Sequence, residues 1–511
     1  MQNRIKLWIL LLFLVVIISF FTRITLFVKS IDSVDATFNN ICGILLIGFF
    51  FDVINAIYFC IPFVLYLWLI PGKVFNKAWH KNVILFWYFV FSAVLLFNAT
   101  AEFLFWDEFG VRYNFIAVDY LVYTNEVIGN INESYPIPWI TAGILLGSFA
   151  ITLSIYYALS TGVERFPIGK RTKYAMVYVL LCTASYLGVS SRLHQFSKNA
   201  YVNELAGNGL YELFAAYITN ELDYNSFYES VSQAEASKLL HNLITTSDVT
   251  WTSPGNSVER LITNPGPEKK LNVVLITVES FSAEFMDLFG NQKHITPFLD
   301  SLSKHSLVFT NLYATGTRTV RGLEALSLCV PPTPGQSIVR RPNNEHLLSL
   351  GKVFHDKGYV CKYIYGGYGY FDNMNYFFTN NEYQVVDRTA LDDTDIHYEN
   401  VWGVADEDLF TLAERQLDKS AKDHPVFAHV MTTSNHRPFT YPDGRIDIPS
   451  HSGRDGAVKY TDYAIGNFLK RASKKDWYKN TIFIIVADHC ASSAGKTQLP
   501  VNKYHIPMLI Y

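Results

Sequence analysis

Apolar residues crowd the first part of the chain in long runs and then give way to short, spaced ones. Five runs stand out, at about 7–28, 44–70, 83–105, 137–159 and 174–191. Each is near the ~20 residues that a helix needs to cross a bilayer. The last is short, and the second begins with a tilted or re-entrant stretch. From residue 270 onward the pattern changes. Short β-branched runs at 272–278, 307–313, 360–365, 426–431 and 481–487 alternate with helical spacing at 295–306, 319–328, 346–358, 406–420 and 454–473. Strands buried on both faces read as continuous apolar runs, so the alternation predicts an α/β domain with a largely parallel sheet.

Three regions follow: a five-helix transmembrane domain over 1–191, a connector over 192–269 and an extracytoplasmic catalytic domain over 270–511. Within the connector, Tyr211 to Leu222 has the spacing of an amphipathic helix suited to a membrane surface. Residues 252–257 and 264–267 read as loop. The first apolar run lacks a small-residue cleavage site and is followed by further spans, so it is read as an anchor. The chain stops in His505-Ile-Pro-Met-Leu-Ile-Tyr511, the start of another strand, which suggests a truncated C-terminus.

Composition agrees. Half of the residues are hydrophobic and only 17% are charged, too apolar for an ordinary soluble enzyme. A net charge of −3 gives no case for nucleic acid. Cys42, Cys60 and Cys182 fall in the apolar part and Cys329, Cys361 and Cys490 in the rest, without CxxC spacing or a disulfide framework. Loop charge sets the expected orientation. Arg4 and Lys6 precede run one, Lys73, Lys77 and Lys81 lie between runs two and three, and Arg165, Lys170, Arg171 and Lys173 lie between runs four and five. The N-terminus is therefore expected in the cytoplasm, and everything after about residue 192 outside, in a multi-pass inner or plasma membrane protein. Arg23, Asp52 and Glu102 sit within or at the ends of the first three runs. Ionisable groups there are costly unless paired, so Arg23 is expected to pair with Asp52 or Glu102 inside the bundle.

Candidate chemistry gathers at strand ends. Glu279 follows the run 272–278, and Asp488-His489 follows 481–487. Ligands of open α/β sheets sit beyond the carboxyl ends of the strands. Carboxylates, an imidazole and a hydroxyl there suit one divalent ion. Thr319, in Ala314-Thr-Gly-Thr-Arg-Thr-Val-Arg-Gly, falls at a helix start, where the dipole favours an anion. A free Thr hydroxyl is a poor nucleophile, and metal coordination lowers its pKa. The alternative is that Thr319 is only a helix cap. Arg318 and Arg321 flank it and suit phosphate charge. His436, past the run 426–431, suits protonation of a leaving oxygen or contact with phosphate; a loop His bonded to backbone is the plain alternative.

Val278-Glu-Ser-Phe, Gly316-Thr-Arg-Thr, Ser434-Asn-His-Arg-Pro-Phe and Ala487-Asp-His, in this order, resemble the lipoteichoic acid synthase family. These are membrane phosphoglycerol transferases of the alkaline phosphatase/sulfatase superfamily. The resemblance implies a divalent ion held by Glu279, Thr319, Asp488 and His489, manganese first, with zinc or magnesium as alternatives. It implies a phospho-threonine intermediate at Thr319 and substrate contact by His436. It also implies a phospholipid donor, phosphatidylglycerol, and a glycan or glycerol-phosphate polymer acceptor. The family's Trp-Asn-Arg-type substrate motif corresponds here to Phe371-Asp-Asn-Met, with Met374 in the Arg place. Candidate substrate contacts are thus Arg318, Arg321, Asp372, Asn373, Met374, His436 and His505. A sulfatase would carry Cys or Ser where Thr319 stands. A phosphoethanolamine transferase would share the Thr and the metal but usually has several outer-domain disulfides. A catalytically silent lipid sensor would have no need of the nucleophile.

Overall fold

The computed structural model describes residues 3–114, 116–118, 124–158, 166–218, 231–253, 257–264, 266–331, 333, 336–491 and 501–511. The expectations for Arg165, residues 219–222 of the connector and 254–256 and 265 of its loops lie outside the described residues. The chain divides into two compact units, 1–220 with 490–505 and 221–489 with 506–511. The division falls near 220, beyond the sequence boundary at 191.

In the first unit α1 (Asn3–Lys29), α2 (Phe38–Phe59), α4 (His80–Phe109) and α5 (Ile137–Ala158) are long and apolar enough to cross a membrane. The apolar run 44–70 is not one helix. It breaks at Cys60, and α3 (Ile61–Leu69) starts afresh with Pro62 in its first turn, where a missing N–H costs nothing. The fifth run lies in α6 (Ile168–Gly188), which opens on Lys170, Arg171 and Lys173 and is not among the four spans. Leu7, Leu11, Val15, Phe63, Tyr88 and Leu95 build the interior. Phe13, Phe21, Phe86, Phe97, Leu146 and Phe149 face outward, a surface suited to lipid tails rather than water.

Arg23 is fully buried and pairs with Asp52 at 2.5 Å. Its guanidinium also donates to the carbonyls of Gly48, Leu205 and Gly207. Glu102 takes a different partner, Arg112, just past the third span. Asn208 donates to Asp52 at 2.9 Å, so the turn between α7 (Ala200–Ala206) and α8 (Gly209–Ile218) is tied to the same pair. Removing one member of such a pair leaves a buried charge uncompensated. Asp52→Ala is expected to destabilise this unit by about 3–5 kcal/mol, read as a lower unfolding midpoint in detergent. An unchanged midpoint would refute the pair's role.

The second unit carries a seven-stranded sheet. Its strands are β1 (Asn272–Val278), β2 (Leu307–Tyr313), β3 (Val360–Tyr365), β4 (Gln384–Val386), β5 (Val426–Met431), β6 (Thr481–Ala487) and β7 (His505–Ile510). Their order is β2-β7-β6-β1-β5-β3-β4. The run from β6 to β4 is parallel, and β7 joins β6 antiparallel. Val274, Ile276, Val278, Ala428, Val430 and Ile485 fill the sheet's centre, as continuous β-branched runs require. The main helices are α9 (Thr319–Leu328), α10 (Asp406–Ser420) and α11 (Arg454–Ala472). The helix expected over 346–358 shortens to Leu350–Asp356, because the Ser349 side chain accepts from Lys352 N and caps it there.

Candidate active site

Parallel register brings the first residues together. Val278 on β1 stands opposite Ala487 on β6, so Glu279 and Asp488 leave adjacent strands at the same level. Thr277 stands opposite Met431 on β5, which brings Thr432 to the same edge. Thr432 Oγ1 accepts from Glu279 N at 2.9 Å. Ser280 turns the chain with φ 49°. Its N–H donates to Asp488 Oδ1 at 2.9 Å and its hydroxyl to Glu279 Oε1 at 2.6 Å. Asn435 donates to the carbonyls of Glu279 and Ser280. The two carboxylates are thus held by backbone and short polar side chains rather than by long cations.

Thr319 is the first residue of α9. Arg318 occupies the cap position and makes no side-chain capping bond. The Thr319 hydroxyl instead donates to Glu279 Oε2 at 3.0 Å. The hydroxyl thus faces the carboxylate cluster and makes no capping bond. Gly322 permits the close approach of α9, since a Cβ there would collide with the Asp488 backbone. His489 Nε2 lies 3.4 Å from Asp488 Oδ2 and 3.5 Å from Glu279 Oε1, and His436 Nε2 lies 3.4 Å from Glu279 Oε1.

Burial and charge act on the two acids in opposite senses. Burial pushes the Asp488 carboxyl up, and the Glu279 charge pushes it further, to about 7. Burial also acts to raise Glu279, but His436, His489 and the Ser280 hydroxyl outweigh it and hold Glu279 below the usual carboxylate range. Asp488 Oδ2 is buried and accepts no hydrogen bond. One ligand atom each from Glu279, Asp488 and His489 lie within 4.8 Å of one another. Two crowded carboxylates, an acceptor oxygen left unsatisfied and an imidazole nitrogen fit a divalent cation.

The remaining predicted residues have partners of their own. Arg321 is engaged by Glu324 at 2.8 Å, and buried Glu324 also accepts from Ser337 and Ile338 N. Asp372 and Asn373 form a left-handed pair, φ 51° and 62°, in a short turn. Asp372 lies 3.8 Å from Arg340, and Asn373 donates to the Val339 carbonyl at 2.9 Å. Met374, expected to line a substrate cleft, is fully buried, and its sulfur accepts from Tyr363 OH at 3.1 Å. It packs in the core because it opens a short helix whose inner face also carries Phe377 and Phe378. His505 is the first residue of β7. Sequence reasoning missed Ser280 and Asn435, though both stand inside the motifs it used, and it missed Trp402 altogether. Trp402 stacks on His436 with ring centroids 4.1 Å apart.

The Sulfatase family profile matches residues 271–511. Lipoteichoic acid synthase 1 of Bacillus subtilis is 26% identical over 239 residues, 44% of this chain and 37% of that protein. The chain therefore spans well under half the length of this curated relative. Among solved structures, lipooligosaccharide phosphoethanolamine transferase A of Neisseria meningitidis covers 98% of this chain and 88% of its own, with a TM-score of 0.59 at 15% identity, a likeness of fold. A protein in the alkaline phosphatase superfamily from Vibrio parahaemolyticus is 35% identical, over 56% of this chain and 70% of that one, with a TM-score of 0.51. With a sulfatase-type region over its second half and an intact strand-end cluster of acids, His and Thr, this chain belongs to the alkaline phosphatase superfamily.

Proposed function

We propose that the chain is a membrane-anchored phosphotransferase that moves a phosphoglycerol group from phosphatidylglycerol to a hydroxyl on a glycan or glycerol-phosphate polymer. The observation that carries this reading is the Thr319 hydroxyl, 3.0 Å from Glu279 at the start of α9 and facing the carboxylate cluster. A divalent ion held by Glu279, Thr319, Asp488 and His489, manganese by family resemblance, would supply the positive charge that acidifies this hydroxyl. Thr319 Oγ1, its proton released to solvent, then attacks phosphorus, and the bond to the diacylglycerol oxygen breaks. His436 protonates that oxygen as it leaves. In the second half the acceptor hydroxyl gives its proton back to His436, attacks the phospho-threonine and releases Thr319. The positive end of the α9 dipole favours the phosphate in both halves. The Lys and Arg bias of the N-terminal loops supports a catalytic unit outside the cytoplasm.

The test is peptide mass spectrometry of the digested protein after incubation with vesicles of phosphatidylglycerol or, separately, phosphatidylethanolamine. A glycerol-phosphate adduct on the Thr319 peptide is the expected result. An ethanolamine-phosphate adduct instead would transfer the reading to phosphoethanolamine chemistry. Release of diacylglycerol with Thr319 never modified would overturn the covalent route.

A further inference from the structure

We propose that Trp402 is the positioning residue for His436, holding its imidazole in the one orientation that aims Nε2 at the Glu279–Thr319 cluster. The inference rests on the reading of His436 as the group that protonates the leaving oxygen. The indole and imidazole planes lie 21° apart with centroids 4.1 Å apart, a full face-to-face contact. The indole N–H donates to the carbonyl of Arg437 at 2.5 Å, so one side chain grips both the ring of His436 and the backbone that follows it.

Trp402 is itself held by its hairpin and by packing. It is buried and stands in the two-residue turn of a small hairpin, Glu399–Asn400 with Gly403–Val404. Its own N–H donates to Asn400 Oδ1 at 2.9 Å, and Asn400 Nδ2 donates to Thr440 Oγ1 at 3.0 Å. Gly403, with φ 140°, lets the hairpin press on the end of β3, because a Cβ there would strike the Gly366 carbonyl. Val404 N donates to Gly366 O at 3.0 Å, and Thr433 Oγ1 donates to Val404 O at 2.9 Å. Behind the indole, Phe371 meets it edge-on at 5.6 Å. By contrast the His436 side chain is one-third exposed. A half-buried imidazole on a loop can turn about two torsions, and a rigid aromatic face lying flat against it sets the ring plane. The wall meets the site through the stacked face of His436, so its effect runs through that ring.

The test is a double-mutant cycle on the full-length, metal-loaded chain, reading diacylglycerol release from phosphatidylglycerol vesicles. Trp402→Leu is expected to lower kcat about 10- to 100-fold, with KM little changed and metal content intact. Trp402→Phe, which keeps a ring face, should recover most of the rate. In a His436→Ala background, itself slowed on the order of 10²–10⁴, Trp402→Leu should cost nothing further. Equal losses in both backgrounds would make Trp402 a general structural residue and overturn the proposal. So would a Phe variant as slow as Leu. If Trp402→Leu loses its metal, Trp402→Met, equally ringless but unbranched and better able to fill an irregular gap, takes its place in the cycle. A His436→Ala variant at full rate would sink the reading of His436, whereas a slow His436→Ala beside a fully active Trp402→Leu would sink only the positioning role.

Discussion

Thr319→Ala is expected to abolish turnover and leave the catalytic unit folded. In the structure the hydroxyl makes one bond, to Glu279 Oε2, and caps nothing. Losing a hydrogen bond to a charged acceptor costs about 1.5–3 kcal/mol, and Ala is at least as good a helix former. A folded domain tolerates that. The rate does not, because removing a covalent nucleophile costs on the order of 10⁴–10⁶ in kcat. Diacylglycerol release, unfolding midpoint and metal content measured together separate the cases. Turnover within tenfold of wild type would rule out the phospho-threonine route. Loss of both turnover and fold would mean the hydroxyl matters to the architecture instead.

Asp488→Ala and Glu279→Ala should each lose the metal as well as activity. Either change removes an anionic ligand from a cluster that has no surplus, and what remains is a weak cation site. Elemental analysis of the purified variants gives the answer; full occupancy in either would show that the ion sits elsewhere. The same cluster predicts a pH dependence with a definite sign. Asp488, raised to about 7 by burial and by Glu279, carries a proton in the metal-free protein at lower pH. Metal binding must expel that proton, so affinity should fall about tenfold per pH unit below 7. The metal-free protein should show the opposite slope from this group. A carboxyl whose folded pKa is raised contributes stability below its unfolded pKa and loses it as pH rises through about 7. Glu279, held low, stays ionised throughout and contributes no such slope. Metal affinity independent of pH between about 5 and 8 would contradict the assignment of Asp488.

Much of this site was legible before the fold. Strands 272–278, 360–365, 426–431 and 481–487 appear at their expected limits, because β-branched runs bounded by polar residues have few other stable uses. Glu279, Asp488 and His489 stood out because they follow such strands, and Thr319 because it opens a helix; the structure brings the four together. The Arg23–Asp52 pair was foreseeable from the cost of an ionisable group in a span. The assignment of Glu102 to the same pair failed as an alternative because Arg112, outside the apolar runs, folds back onto it. The single span over 44–70 failed because a hydropathy pattern does not register the break at Cys60 and Pro62.

The sequence by itself determined the division into an apolar helical part and an α/β part, the strand-end positions of the acids, and the superfamily. Those follow from local periodicity and short motifs, which the chain carries without reference to distant residues. Only the tertiary structure decided that Thr319 faces Glu279 rather than its own helix, that Met374 is core, and that Trp402 lies flat on His436. Each depends on pairing between segments tens to hundreds of residues apart. Parallel register places Glu279 beside Asp488, and the close approach at Gly322 brings in Thr319. A hairpin tip lays the indole on the imidazole. Side-chain direction across such distances is set by packing, and packing is not a property of any one stretch of sequence.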